Sequence, residues 1–222
     1  MSLPVGAPVG VDPPEVSDDL VAVDVADLTD GEEVEDALVT GDFLGGSVER
    51  LTLAGCRVEG VRLTGTTLDE IALEDVFLVD CELSGVTLGT AKLQRVRLER
   101  CRMSGLSAAG LQAEHVSFVE DRLDDAWFRM ADIERGEFVD CDLRRADFYR
   151  AALRRARFVG CDLTGAELTK VAVEALRIER STIVDLGGIG DLRDIVLTPD
   201  EIVSFALPFL ASFGITVDDG DD

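Results

Sequence analysis

From Phe43 onward a large apolar residue returns every five positions. The series runs Phe43, Val48, Leu53, Val58, Leu63, Leu68, Leu73 and on to Phe158, Leu163, Leu168, Val173, Ile178 and Ile183, with no slip of phase. Of the 29 slots, Leu, Ile, Val, Phe or Met fills 27; Ala108 and Ala113 fill the other two. A period of five matches neither an α-helix, near 3.6, nor a flat strand, at 2. It matches a chain that turns a corner every five residues. Two positions before each large slot runs a second column of small or apolar residues, among them Cys56, Val61, Cys81, Val96, Cys101, Ala126, Ala146 and Cys161. Two inward residues in five, with polar residues between them, describe a narrow packed tube.

A longer period sets the number of sides. Leu63-Thr64-Gly65, Leu83-Ser84-Gly85, Met103-Ser104-Gly105 and Leu163-Thr164-Gly165 recur at multiples of 20. So do Phe118, Phe138 and Phe158, and, in another column, Phe128 and Phe148. Four repeats therefore make one coil. The slots supply about seven coils, a tube roughly 35 Å long at the ~4.8 Å spacing of stacked strands. A glycine recurring at one corner predicts a turn with positive φ.

The repeat resembles the pentapeptide-repeat family, whose consensus is A-(D/N)-L-x-x. Ala131-Asp132-Ile133, Cys141-Asp142-Leu143, Ala146-Asp147-Phe148 and Cys161-Asp162-Leu163 match it well, while the N-terminal half often carries Val, Ile or Leu at the small position. The resemblance implies an all-β solenoid: a right-handed quadrilateral β-helix of pentapeptide repeats with a C-terminal α-helical cap. It assigns residues 41–186 to the β-helix. Residues 1–40 are then an acidic N-terminal segment, with 1–18, rich in proline, expected to be disordered and Thr29-Asp30-Gly31-Glu32 a candidate start for a short helix. Residues 187–222 are a last partial coil, a helix and an acidic tail. That helix is predicted to start at Thr198-Pro199-Asp200-Glu201, a capping-box pattern, and to end at Gly214. Its apolar residues Ile202, Phe205, Phe209 and Phe213 are expected to cover the tube end or a second subunit, making a homodimer.

Charge narrows the function. The net charge is −24, with 12 acidic and no basic residues in 1–42 and near balance in 43–184. Such a chain repels nucleic acid, so direct nucleic-acid binding is not expected. No run of 18 apolar residues exists to span a membrane, and the N-terminus lacks a secretory signal, so a cytoplasmic location is expected. The five cysteines occupy the small inward column and read as buried packing, with neither disulfide nor zinc expected. His115, the only histidine, reads as a solvated corner residue. No catalytic, metal or cofactor motif is present, so the chain is expected to be non-enzymatic and to need no cofactor.

Two surface features stand out. Val79, Val119, Val139 and Val159 share an outward column, predicted to be an apolar stripe that marks an interface or underlies a terminal segment of this same chain. Trp127, Arg129, Met130, Tyr149 and Arg150 fall on one side over two adjacent coils, and Trp, Tyr and Arg dominate binding hot spots. The expected function is a protein-binding or scaffold module. The alternative implied by the resemblance is a DNA-mimicking regulator of DNA gyrase, of the quinolone-resistance type. Interspersed arginines such as Arg95, Arg135 and Arg155 weaken that alternative. One residue breaks the pattern: Asp121 takes the slot that Cys101 and Cys141 hold one coil away on either side. It is expected to distort the backbone locally and to reach backbone N–H groups, Arg122 or water.

Overall fold

The computed structural model describes residues 10–197 and 199–217. The chain winds into a parallel solenoid. One side stacks ten strands in parallel, from Val21–Asp24 through Ile71–Val79, Ala91–Glu99, Gln112–Val119 and Asp132–Val139 to Ile195–Leu197. Ten strands define nine intervals, so the rod is about 43 Å long at ~4.8 Å per step. In the central coils the register is 20 residues: Leu78 pairs with Leu98, Leu98 with Phe118, and Phe118 with Phe138. Isolated bridges continue the other sides with the same step, as in Arg62 to Glu82 to Arg102 and Trp127 to Asp147 to Glu167. We number the four sides by their large slots: the first through Leu63 and Leu83, the second through Phe128 and Phe148, the third through Leu93 and Ile133, the fourth through Phe118 and Phe138.

The corners explain the period. At every fifth residue from Arg50 to Asp185, Thr90 excepted, φ is positive. Glycine serves at Gly65, Gly85, Gly105 and Gly165, but Asp125 (φ 57) and Arg145 (φ 58) make the same corner without it. A side chain there costs roughly 1–2 kcal/mol. The inter-coil ladder offsets that cost, because nearly every outward-facing backbone group finds a partner one coil away, as in Gly105 N–H to Asp124 C=O at 2.8 Å.

The interior confirms the expected register. Leu98 and Phe148 are buried, and Leu73 packs partly buried against the core. Phe118, Phe138 and Phe158 stack at 4.7 and 4.9 Å along the fourth side, and Phe128 and Phe148 at 5.0 Å along the second. The two stacks meet edge-to-face across the tube at 5.8–6.2 Å. Such pairs are worth about 0.5–1.5 kcal/mol beyond their area. Toward the N-terminus, Leu and Val replace Phe, and a void of about 110 Å³ remains between Val39, Leu53, Leu73, Leu93 and Met103. The cysteines are buried thiols whose Sγ atoms lie near carbonyls, Cys141 3.4 Å from Phe118 O and Cys161 3.3 Å from Phe138 O.

The ends differ from expectation. The solenoid begins at Val21, not near residue 41. Strands Val21–Asp24, Glu33–Glu35 and Ala37–Thr40 belong to it, and Val34, Ala37 and Val39 are buried. The first strand pairs at a register of 16, Val21 opposite Ala37, and the next coil at 19, with Val34 opposite Leu53 and Val39 opposite Val58, because the corner at Gly41 is one residue short. Thr29 starts no helix; the one short helical turn upstream is Val25–Asp27, capped by Asp24. Residues 10–18 are described and run along the rod; the disorder expected for 1–9 lies outside the described residues, as do the Thr198 cap and the tail 218–222. The C-terminal helix spans Pro199–Ser212. It ends in a Schellman turn: Ile215 N–H bonds Leu210 C=O at 3.1 Å and Gly214, at φ 71, bonds Ala211 C=O at 2.9 Å.

Asp121 fits without breaking the ladder. It is buried at 2 % exposure, its Oδ1 accepts from Cys101 N–H at 2.6 Å, and its Oδ2 accepts from Val119 N–H at 3.1 Å. The expected backbone N–H partners are present; the expected distortion is not, since Asp142 N–H still bonds Asp121 C=O at 3.0 Å. Burial raises its pKa to about 7, against the two amide bonds. A raised carboxyl pKa stabilises the fold below the unfolded value near 3.9 and loses that contribution as pH rises through about 7. Ser181 shows a neutral solution in the same column, its Oγ accepting from Cys161 N–H at 3.1 Å. Asp121→Ser is therefore expected to melt higher than the wild type at pH 8, with the gap closing toward pH 4. Equal melting temperatures across that range contradict this account.

Candidate interaction surfaces

The second side carries the aromatic and basic cluster. Trp127 sits one residue before the inward Phe128 and Tyr149 one residue after the inward Phe148, so both project outward on adjacent coils. Trp127 is 56 % exposed and Met130 60 %, the latter on a left-handed corner at φ 57. Arg129 lies between the two rings, 5.9 Å from each centroid, and its Nε donates to Asp147 Oδ2 at 2.6 Å. Arg150 stands 5.3 Å from the Tyr149 ring. Lys170 is a member the sequence reading missed. Its Nζ is 5.5 Å from the ring and 3.3 Å from the hydroxyl, and this contact holds the Tyr149 pKa below the usual phenol value. Position 170 follows Arg150 by one coil, so the 20-residue period does contain that signal.

Elsewhere many of the arginines are paired with carboxylates along the corners and faces. Arg62 with Asp42, Arg95 with Asp75, Arg100 with Asp80 and Arg145 with Asp125 each link residues 20 apart, at Nε–Oδ1 distances of 2.6–2.9 Å. Exposed pairs like these contribute only about 0–1 kcal/mol each, but they neutralise the surface. The second-side cluster instead gathers Arg129, Arg150 and Lys170 around the Tyr149 ring, a basic island on an acidic chain.

The valine stripe is not an open surface. Val79 is 2 % exposed and Val159 7 %, while Val119 and Val139 are half-buried. In-register neighbours flank each valine, and Glu59, Glu99 and Glu179 complete the same row. These short side chains sink between longer ones. His115 is likewise not a solvated residue: its side chain is 12 % exposed, with Arg135 Nη1 3.1 Å from Nε2 and the Asp12 backbone N–H 2.8 Å from Nδ1.

At the C-terminal end the helix buries Phe205 but leaves Ile202 57 %, Phe209 39 % and Phe213 57 % exposed. Ile202, Phe205 and Phe209 border a shallow groove closed on its other edge by Leu192, Ile195 and Leu197. Among the described residues, no cluster of three His, Cys, Asp or Glu side chains is placed to hold a metal ion, and no helix is long and apolar enough to cross a membrane.

Comparison with known proteins agrees with this geometry. The pentapeptide repeat region model matches residues 51–128 and the pentapeptide repeats (8 copies) model matches residues 124–172. Together they cover more than half of the chain, which belongs to the pentapeptide-repeat family. A trypsin-treated form of QnrB1, a plasmid-mediated fluoroquinolone resistance protein, is 20% identical over 90% of this chain and 99% of its own, with a TM-score of 0.38. HetL, a pentapeptide repeat protein involved in heterocyst differentiation regulation from the cyanobacterium Nostoc sp. strain PCC 7120, is 16% identical over 75% of this chain and 87% of its own, at 0.32. Rfr23 from the cyanobacterium Cyanothece 51142 is 14% identical over 76% and 90%, at 0.22. Comparison with curated proteins gives no match.

Proposed function

We propose that this chain is a non-enzymatic protein-binding module, acting in the cytoplasm, whose principal docking surface is the second-side cluster. The observation that carries this reading is an exposed Trp127 and Met130 beside Arg129 and Tyr149 held in place by mutual ring contacts. Rigid aromatic and arginine side chains bind at low entropic cost. The pairing of charges between coils argues against the gyrase-directed DNA mimic, since a mimic needs an unbroken acidic row. The row Asp42, Arg62, Glu82, Arg102, Arg122, Asp142, Asp162 mixes both signs, and the valine row is half apolar. The partner surface that complements this cluster is acidic with an apolar centre.

The test is affinity capture with the intact chain, followed by binding measurements on the captured partner. Trp127→Ala and Arg129→Ala leave the inward residues untouched and are expected to weaken binding about tenfold or more each. Unchanged affinity in both, or inhibition of gyrase supercoiling by the wild type, overturns the reading.

A homodimer through the C-terminal helix is a second part of the proposal, supported by the apolar groove beside Ile202, Phe205 and Phe209 and by the exposed Phe213. Light scattering is expected to give twice the monomer mass of 23.9 kDa. Phe209→Asp is expected to return the monomer, since an ionised carboxylate in a desolvated interface is unfavourable. A wild-type monomer at high concentration contradicts it.

A further inference from the structure

We propose that the corner between the third and fourth sides is a docking track for an extended, acidic, proline-containing segment of a partner protein, and that residues 11–15 occupy it in the free chain. This site lies away from the second-side cluster and does not depend on that reading. Val11, Asp12, Pro13 and Pro14 lie against Val96, Arg97, Ser117 and Glu137 on the fourth side. Two backbone amides fasten the segment to the corner column. Asp12 N–H donates to His115 Nδ1 at 2.8 Å, and Glu15 N–H donates to Asp75 Oδ1 at 3.0 Å.

The spacing of these anchors is the argument. They are three residues apart on the segment, and their partners are two coils apart on the rod. Three residues of polyproline-type chain advance about 9.3 Å, one full turn. Two coils advance about 9.6 Å. The rod therefore presents its two acceptors, Asp75 and His115, one polyproline turn apart, and the same face of such a chain meets both. Pro13 and Pro14, which have no N–H to donate, fill the two positions where the corner supplies no acceptor. Both anchors are main-chain groups, so the track recognises conformation before side chains.

Charge adds the acidic preference. Beyond Asp12 the corner continues to Arg135 and Arg155, each still 34 % and 45 % exposed while paired with Glu114, Glu134 and Glu174. One coil past Glu137 on the adjoining face, Arg157 pairs with Glu137 through one terminal nitrogen, while its buried Nε has no hydrogen-bond partner among the described residues. A longer acidic segment on the same track reaches these guanidinium groups.

The experiment uses the full chain and a fluorescein-labelled peptide with the sequence of residues 10–19. Asp12→Pro with Glu15→Pro removes both anchoring N–H groups from the tethered segment and leaves the track intact. Because a tethered segment competes at a millimolar effective concentration, the labelled peptide is expected to bind this variant about tenfold or more tighter than the wild type. His115→Ala added to the variant is expected to reverse the gain. A peptide carrying the same two prolines is expected not to compete, and one with Asn and Gln for its acidic residues to compete weakly. Equal binding to variant and wild type, no binding to either, or full competition by the doubly proline-substituted peptide each overturns the proposal. Amide exchange on the unmodified chain is an independent check: Asp12 and Glu15 N–H groups are expected to exchange more slowly than those of Val16 and Ser17, and equal rates contradict the anchoring.

Discussion

The left-handed backbone turn at every fifth residue is the constraint from which the rest of this structure follows. It bends the chain after each short strand, so that two side chains of every five face inward and the next side begins a quarter-turn on. Four such turns return the chain to its starting side, one strand spacing along the axis. The outward backbone N–H and C=O groups then meet their equivalents on the next coil. That closes the hydrogen-bond account of the chain. The same turn orders the surface. Corner residues such as Asp75, Arg95, Asp80, Arg100, Asp125 and Arg145 point out in columns, and arginine meets carboxylate between Arg95 and Asp75, Arg100 and Asp80, and Arg145 and Asp125. An acidic chain thereby acquires a repeat surface of nearly balanced charge, against which an unbalanced island is distinguishable.

Most of the solenoid was legible because an inward residue in a stacked coil must be apolar, and a fixed period makes that rule visible. The first coil was not. Its inward Val34 and Val39 stand one position out of phase with Phe43 and Val48, since the short corner at Gly41 shifts the register, and a count in steps of five passes over them. The valine column shows a different limit. Outward direction follows from the period, but exposure depends on the length of the neighbouring side chains, which the period does not contain. Asp121 was readable as an anomaly, and its solution was only partly so. The Cys101 N–H that it satisfies is a corner donor of the stack, supplied elsewhere in that column by Ser181 in the same way. The aromatic cluster was legible as a set of columns, while Lys170, one coil after Arg150, was passed over because its contact with the Tyr149 ring crosses from one column to the next.

The interior of this molecule is packed with apolar side chains, so its distinctive features lie on the surface. Phenylalanine stacks close the C-terminal half of the tube, and the void in the N-terminal half is lined by hydrocarbon alone. Three outer regions differ from the balanced repeat. The second side offers rigid rings and unbalanced cations, the C-terminal helix offers uncovered apolar side chains, and the third corner carries a chain segment whose step matches the rod. They lie at different places along and around the same rigid body, so that one partner need not exclude another.

The central claim is that the coil, 20 residues in the middle of the rod, is the unit of stability and tolerates no change of register there. The direct test compares two insertions after Gly105: a single alanine, and a duplicate of residues 106–125. The duplicate adds one coil in phase and is expected to keep the far-ultraviolet circular dichroism of a β-solenoid and a melting temperature at or above that of the wild type. The single alanine rotates every downstream inward residue toward solvent and is expected to lower the melting temperature sharply or to prevent folding. Comparable stability of the two variants, or a single insertion better tolerated than a whole coil, contradicts the account.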